Sequence, residues 1–102
     1  MQTAITARHC EISDELRART REVLARFGDF LQAPVEGTVV FDTLPQGAQA
    51  EIRLRGGRGE WFVATGEDKD HRSALDRAIE KIRRQVDRDG GQKRPRGSRE
   101  SA

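Results

Sequence analysis

The chain has 102 residues, 34% hydrophobic, 5% aromatic and 35% charged, with a net charge of +2. That allows one small domain with a modest core and a largely ionic surface, not two domains. No apolar run approaches a membrane span or a signal peptide, so a cytoplasmic protein is expected, and the single Cys10 permits no internal disulfide.

Gln2 to Ala7 is short and β-tolerant, with Thr3, Ile5 and Ala7 sharing one side by alternation. His9, Cys10 and His71 are the only imidazole or thiol donors. Neighbours such as His9 and Cys10 project to different sides of the backbone and chelate poorly, so these three residues read as structural and no metal site is expected. Ser13 suits a helix N-cap, because Asp14 and Glu15 follow in the first turn, where the helix dipole favours anions. Leu16, Thr20, Val23, Leu24, Phe27 and Leu31 then recur at helical spacing, and Gly28 and Pro34 are expected to end the helix. Its exposed positions hold Arg17, Arg19, Arg21 and Arg26.

Three strands are expected next. Val35 to Leu44 is rich in β-branched and aromatic residues, and Pro45-Gln46-Gly47 marks a turn. From Ala48 to Arg55, Ala50, Ile52 and Leu54 alternate with Glu51, Arg53 and Arg55, the pattern of a sheet with one wet face. Gly56 to Gly59 forms a hairpin loop, and Glu60 to Glu67 closes the meander. Alternation sends one of Trp61 and Phe62 outward and leaves open which. The small Ala64 and Gly66 would let a helix lie close to this last strand.

Asp70 suits the N-cap of a second helix reaching about Asp89, with Gly90-Gly91 as its stop. Residues 90–102 contain Ala102 as their only apolar side chain and are expected to be a disordered basic tail. The order β-α-β-β-β-α over residues 1–89 predicts an α+β two-layer sandwich, a four-stranded sheet with both helices on one face.

Charge segregates within this frame. Residues 1–89 hold 15 basic and 16 acidic side chains, whereas the tail sets Lys93, Arg94, Arg96 and Arg99 against Glu100 alone. At about 100° per residue the second helix turns Leu75, Ile79, Ile82 and Val86 toward the sheet and Arg77, Lys81, Arg84 and Arg88 away from it. Asp76, Glu80 and Asp87 lie on one flank, and Ala74, Ala78 and Gln85 on the other. The four cations form a stripe roughly 16 Å long at about 1.5 Å per residue. Guanidinium forks suit phosphate oxygens, which are the contacts that position proteins on nucleic acid. The plainer alternative is a solvated face laced with ion pairs at i,i+4 spacing. Catalytic readings lack support: the chain has no nucleophile elbow, P-loop, dinucleotide fingerprint or zinc-ligand spacing, and Gly56 to Gly59 opens no helix. Asp68 and Asp70 belong to a cap region. No enzyme and no cofactor are expected.

Two stretches carry a resemblance. The opening QTAITARHCEISDELR is similar to the start of the ribosome hibernation-promoting factors and ribosome-associated inhibitor proteins. FVATGEDKDHRSALDRAIEKIRRQV looks like their last strand and second helix, with Lys81, Arg84 and Gln85 matching the Lys-x-x-Arg-Gln run. The resemblance spans about residues 1–89. It implies the β-α-β-β-β-α fold and binding in the groove between head and body of the small ribosomal subunit. There such proteins overlap the transfer-RNA and messenger-RNA sites near the decoding region, silencing and protecting idle ribosomes under stress. It also implies RNA-binding roles for Arg26, Lys81 and Arg84 on the helices and for Arg8 after the first strand. Arg77 and Arg88 join them from the stripe, and Lys93, Arg94, Arg96 and Arg99 are candidate tail contacts to RNA. Arg72 stands where the family commonly has an aromatic residue, and Thr3 where an aliphatic is usual. No part of the chain matches the C-terminal domain with which longer members pair two ribosomes, so dimerisation of ribosomes by this chain alone is not expected. The expected partner is the small subunit and its ribosomal RNA, with no small-molecule substrate and no membrane, the protein being a monomer off the ribosome. Two other readings remain: a protein-binding regulator of the sigma-factor-modulator type, and a general binder of structured RNA.

Overall fold

A computed structural model describes residues 2–31 and 36–93 of the chain. The elements are β1 (Gln2–Arg8), α1 (Asp14–Phe30), β2 (Glu36–Leu44), β3 (Gly47–Arg55), β4 (Trp61–Asp68) and α2 (His71–Lys93). The sheet order is β1-β2-β3-β4, with β1 parallel to β2 and the other neighbours antiparallel. A parallel neighbour cannot be reached by a tight turn, and α1 is the crossover that reaches it. This is the predicted α+β fold, with a mixed four-stranded sheet.

Register decides which face is dry. Ile5 lies opposite Val39, Val39 opposite Ile52, and Ile52 opposite Ala64. With Phe41, Ala50, Leu54 and Phe62 they make one apolar face. Leu24 and Phe27 of α1 and Ala74, Leu75, Ala78, Ile82 and Val86 of α2 complete the same core cluster, so both helices cover this face. The other face is wet: Glu51 and Arg53 pair at 3.4 Å, and Trp61 is 52% exposed while Phe62 is 2% exposed. Pairing to β3 thereby settles the orientation that alternation left open.

Both helix starts are as expected. Ser13 Oγ accepts the Leu16 amide at 3.0 Å, and Asp70 Oδ1 accepts the Ser73 amide at 2.8 Å. That amide, followed by the Ser73 hydroxyl, holds the Asp70 carboxyl below the usual carboxylate range. Thr20, buried among apolar neighbours, satisfies its hydroxyl by donating to the Leu16 carbonyl at 2.7 Å.

The helix ends differ from expectation. α1 continues through Gly28 to Phe30, and α2 continues through Gly90 and Gly91 to Lys93. Extending a formed helix by a residue costs far less than nucleating one, so a glycine near its end need not stop it. Residues 94–102, the remainder of the expected tail, lie outside the described residues.

The core of α2 is also corrected. Ala74 and Ala78 are fully buried, while Ile79, expected to face the sheet, is half-buried. The cause is Gly66: a Cβ there would meet the Ala74 carbonyl and the Ala78 amide, so the helix backbone lies directly on β4. So close an approach brings the alanines onto the sheet and turns Ile79 toward α1, where it lines a cleft with Val23 and Phe27.

Candidate nucleic-acid interface

The cationic stripe of α2 divides into two parts. Its Arg77 side leans on the outer edge of β4. Arg77 Nε donates to Asp68 Oδ2 at 2.6 Å, which holds the Asp68 carboxyl below its usual range and raises Arg77. Lys81 Nζ donates to the Thr65 carbonyl at 2.8 Å. Gln85 makes a paired contact: its Nε2 donates to the Val63 carbonyl at 2.7 Å and its Oε1 accepts the Val63 amide at 3.2 Å. Unpaired main-chain groups on an edge strand invite pairing with another chain, and these side chains occupy them. Lys81 and Gln85, two members of the Lys-x-x-Arg-Gln run, thus hold the helix to the sheet edge.

The outer part of the stripe is different. Arg84 and Arg88 are exposed and make no hydrogen bond or ion pair among the described residues. Arg26 on α1 and Arg83 on α2 are likewise exposed and unpaired there, and together they line a cleft between the two helices. Arg19 reaches across from α1 to Asp76 at 2.6 Å and lines the same cleft. The helical layer therefore carries Arg26, Arg83, Arg84 and Arg88 as exposed cations without a partner among the described residues, as are Arg21 and Arg72, while Lys81 is exposed but bonded to Thr65. Glu80 and Asp87 also remain exposed on α2.

Sequence reasoning placed Arg19 only among the exposed positions of the first helix and gave Arg83 no role in binding. The available signal was spacing: positions 76, 79 and 83 follow one helical line, and that line faces α1.

Arg8 is not brought to this group. It sits at the end of β1, 3.3 Å from Asp42, whose carboxylate also lies 3.1 Å from His9 Nδ1. The His9 contact, then the Thr43 amide, holds the Asp42 carboxyl below its usual range. His9 adopts a left-handed conformation at φ 57°, and this turns the chain out of β1. His71 Nε2 is 3.1 Å from the Asp42 carbonyl, so this corner lies at the start of α2, away from Arg84 and Arg88. Cys10 is a free thiol packed half-buried against the core. Lys93 closes α2, whereas Arg94, Arg96 and Arg99 lie outside the described residues.

Among the described residues no three His, Cys, Asp or Glu side chains converge as a metal site would require, and no helix is long and apolar enough to cross a membrane. The profile of one family, described as sigma 54 modulation protein / S30EA ribosomal protein, matches residues 3–94. The chain belongs to this family. Its members are ribosome modulators without catalytic activity. The sigma 54 modulation/S30EA fold recurs in the N-terminal domain of Protein Y from Thermus thermophilus, at a TM-score of 0.73 and 30% identity over 86% of this chain and 98% of that one. A ribosomal subunit interface protein from Coxiella burnetii shares the fold at a TM-score of 0.74 and 20% identity, over 86% of this chain and 96% of that one. No curated protein matches this chain in sequence.

Proposed function

We propose that this protein binds the small ribosomal subunit near the decoding region through the outer surface of its two helices. In doing so it blocks the transfer-RNA and messenger-RNA sites and silences or protects idle ribosomes. The family match over residues 3–94 carries the proposal, and the described Coxiella relative is by its name a ribosomal subunit interface protein. Charge geometry favours the helical layer as the contact surface. Arg26, Arg84 and Arg88 are exposed and have no partner among the described residues, and Lys81 is exposed while donating to the Thr65 carbonyl. A guanidinium without a protein partner loses no existing contact when it meets a phosphate. Arg77 and Arg8 belong to the proposed set as weaker members, because each already faces a carboxylate. Lys93, Arg94, Arg96 and Arg99 supply further, less specific attraction to RNA. The protein acts as a monomer off the ribosome, without a cofactor.

The family description also names sigma 54 modulation, which keeps a protein partner as the second reading. Its place on the molecule would be the wet sheet face, where Trp61 and Val63 are exposed. Arg55 stacks on Trp61 at 5.8 Å and the surrounding charges are paired, so that face offers no broad apolar patch. Co-sedimentation with isolated small and large subunits at two salt concentrations separates the readings. Salt-sensitive binding to the small subunit alone is expected. Binding to neither subunit, or equal binding to any structured RNA, refutes the proposal.

A further inference from the structure

The cleft between the helices has a composition that a general basic surface does not require. Its floor is apolar, made by Phe27 with the half-buried Val23 and Ile79, and its rim carries Arg19, Arg26 and Arg83. Its volume is about 100 Å³. That is well below the roughly 300–1,000 Å³ of sites that enclose a small-molecule ligand, so a free metabolite would find little to hold it. Asp76 is the carboxylate at hand, and Arg19 already engages it at 2.6 Å. Arg19 Nε is shielded from solvent without an acceptor among the described residues, so its guanidinium is only partly satisfied. Arg26 and Arg83 have no partner among the described residues.

We propose that this cleft receives one unstacked base of ribosomal RNA, inserted edge-first over Val23 and Ile79, with the flanking phosphates held by Arg26 and Arg83. This rests on the small-subunit binding proposed above and adds a specific subsite to it. Splayed-out bases are what proteins read in RNA, commonly against aromatic side chains or arginine guanidinium planes, and the second of these lines the rim here. A base needs the shallow apolar floor, its phosphates need the cations, and the backbone that carries it stays outside. An apolar side chain from a ribosomal protein would use the floor and leave Arg26 and Arg83 of the rim without a role.

The experiment fills the cleft without changing charge. Ile79→Trp, and independently Val23→Phe from the facing helix, are compared with the wild type for small-subunit affinity across a salt series and for chemical protection of ribosomal RNA. Circular dichroism checks that each variant is folded, and the two substitutions approach the cleft from different helices, so a fold defect in one leaves the other as the test. The expected result is about a tenfold loss of affinity at every salt concentration, the size that goes with roughly 55 Å² of apolar contact withdrawn from the base. The salt slope should stay unchanged, and protection should disappear at one nucleotide while the rest of the footprint persists. Arg83→Gln should instead lower the slope by a little under one. Wild-type affinity and an intact footprint in a folded, cleft-filled variant overturn the subsite and leave the small-subunit reading standing. Loss of affinity with the RNA footprint intact overturns it in favour of a protein side chain. Failure of the wild type to bind small subunits at all overturns both.

Discussion

Gly66→Ala should displace α2. A Cβ at position 66 would meet the Ala74 carbonyl and the Ala78 amide, both main-chain atoms, and would stand 2.9 Å from Arg77 Cβ. Restoring ordinary contact distances of about 3.5 Å requires the helix to lift by about 1 Å. Leu75, Ile82 and Val86 ride on that helix and are buried against the sheet, so their packing loosens together. A gap of that size forfeits a quarter to a half of each contact's attraction. Overpacking commonly costs about 1–3 kcal/mol, and a backbone clash that no rotamer relieves belongs at or above the top of that range. The natural stability of a domain this size is about 5–15 kcal/mol, so roughly 3 kcal/mol is a large share. Urea unfolding followed by far-ultraviolet circular dichroism reads the effect. With a slope of about 1 kcal/mol per molar, the midpoint should fall by about 3 M. A midpoint within 0.3 M, about 10% of that shift, of the wild type would mean that the helix does not rest on this glycine.

Ile82→Ala should cost about 2–5 kcal/mol in the same assay, whereas Ile79→Ala, half-buried at the cleft, should cost about 1 kcal/mol. Equal costs would contradict the roll of α2. Gln85→Ala removes both bonds to the Val63 main chain, for about 1–2 kcal/mol, and frees the edge of β4. Sedimentation velocity at high concentration should then detect self-association that the wild type lacks, and a strictly monomeric variant would argue that the edge needs no cover. Asp42, Asp68 and Asp70 have carboxyls held below the usual range, so their stabilisation is full above the unfolded value near pH 4 and is lost as pH falls through the lower folded values. Asp68→Asn should flatten the acid limb of a melting-temperature profile, and an unchanged limb would remove the Arg77 contact as a cause.

Most of the fold was legible because periodicity is a local property. The alternation of Ala50, Ile52 and Leu54, the caps at Ser13 and Asp70, and the small residues of β4 each signalled their elements without knowledge of neighbours. What escaped depends on tertiary contact. The burial of Ala74 and Ala78 in place of Ile79 follows from how closely a helix can approach Gly66, and no helical wheel contains that distance. The helix ends escaped for a related reason, since glycine is only a weak stop for a long helix. The candidate site was half legible. Spacing located Lys81, Arg84 and Arg88, but it could not say that Arg77 meets Asp68 or that Gln85 holds a strand edge. The cleft joins residues more than fifty positions apart, Arg19 and Arg26 with Arg83, and appears only when the helices pack.

The central claim is that the outer cations of the helical layer contact phosphates of the small subunit. It is tested most directly by the salt dependence of binding when Lys81, Arg84 and Arg88 are all converted to Gln, which keeps helix propensity and removes three charges together with the Lys81 bond to the Thr65 carbonyl. Each phosphate contact contributes about 0.7–0.9 to the log–log slope, so the slope should fall by about 2–3. Arg77→Gln should contribute less than any of them, because Asp68 already faces that guanidinium. Glu80→Gln with Asp87→Asn, on the same helix, should leave binding unchanged or slightly stronger. A triple variant that binds small subunits with the affinity and slope of the wild type would contradict the claim, because exposed charges of no function shift stability by no more than about 1 kcal/mol and would leave binding untouched.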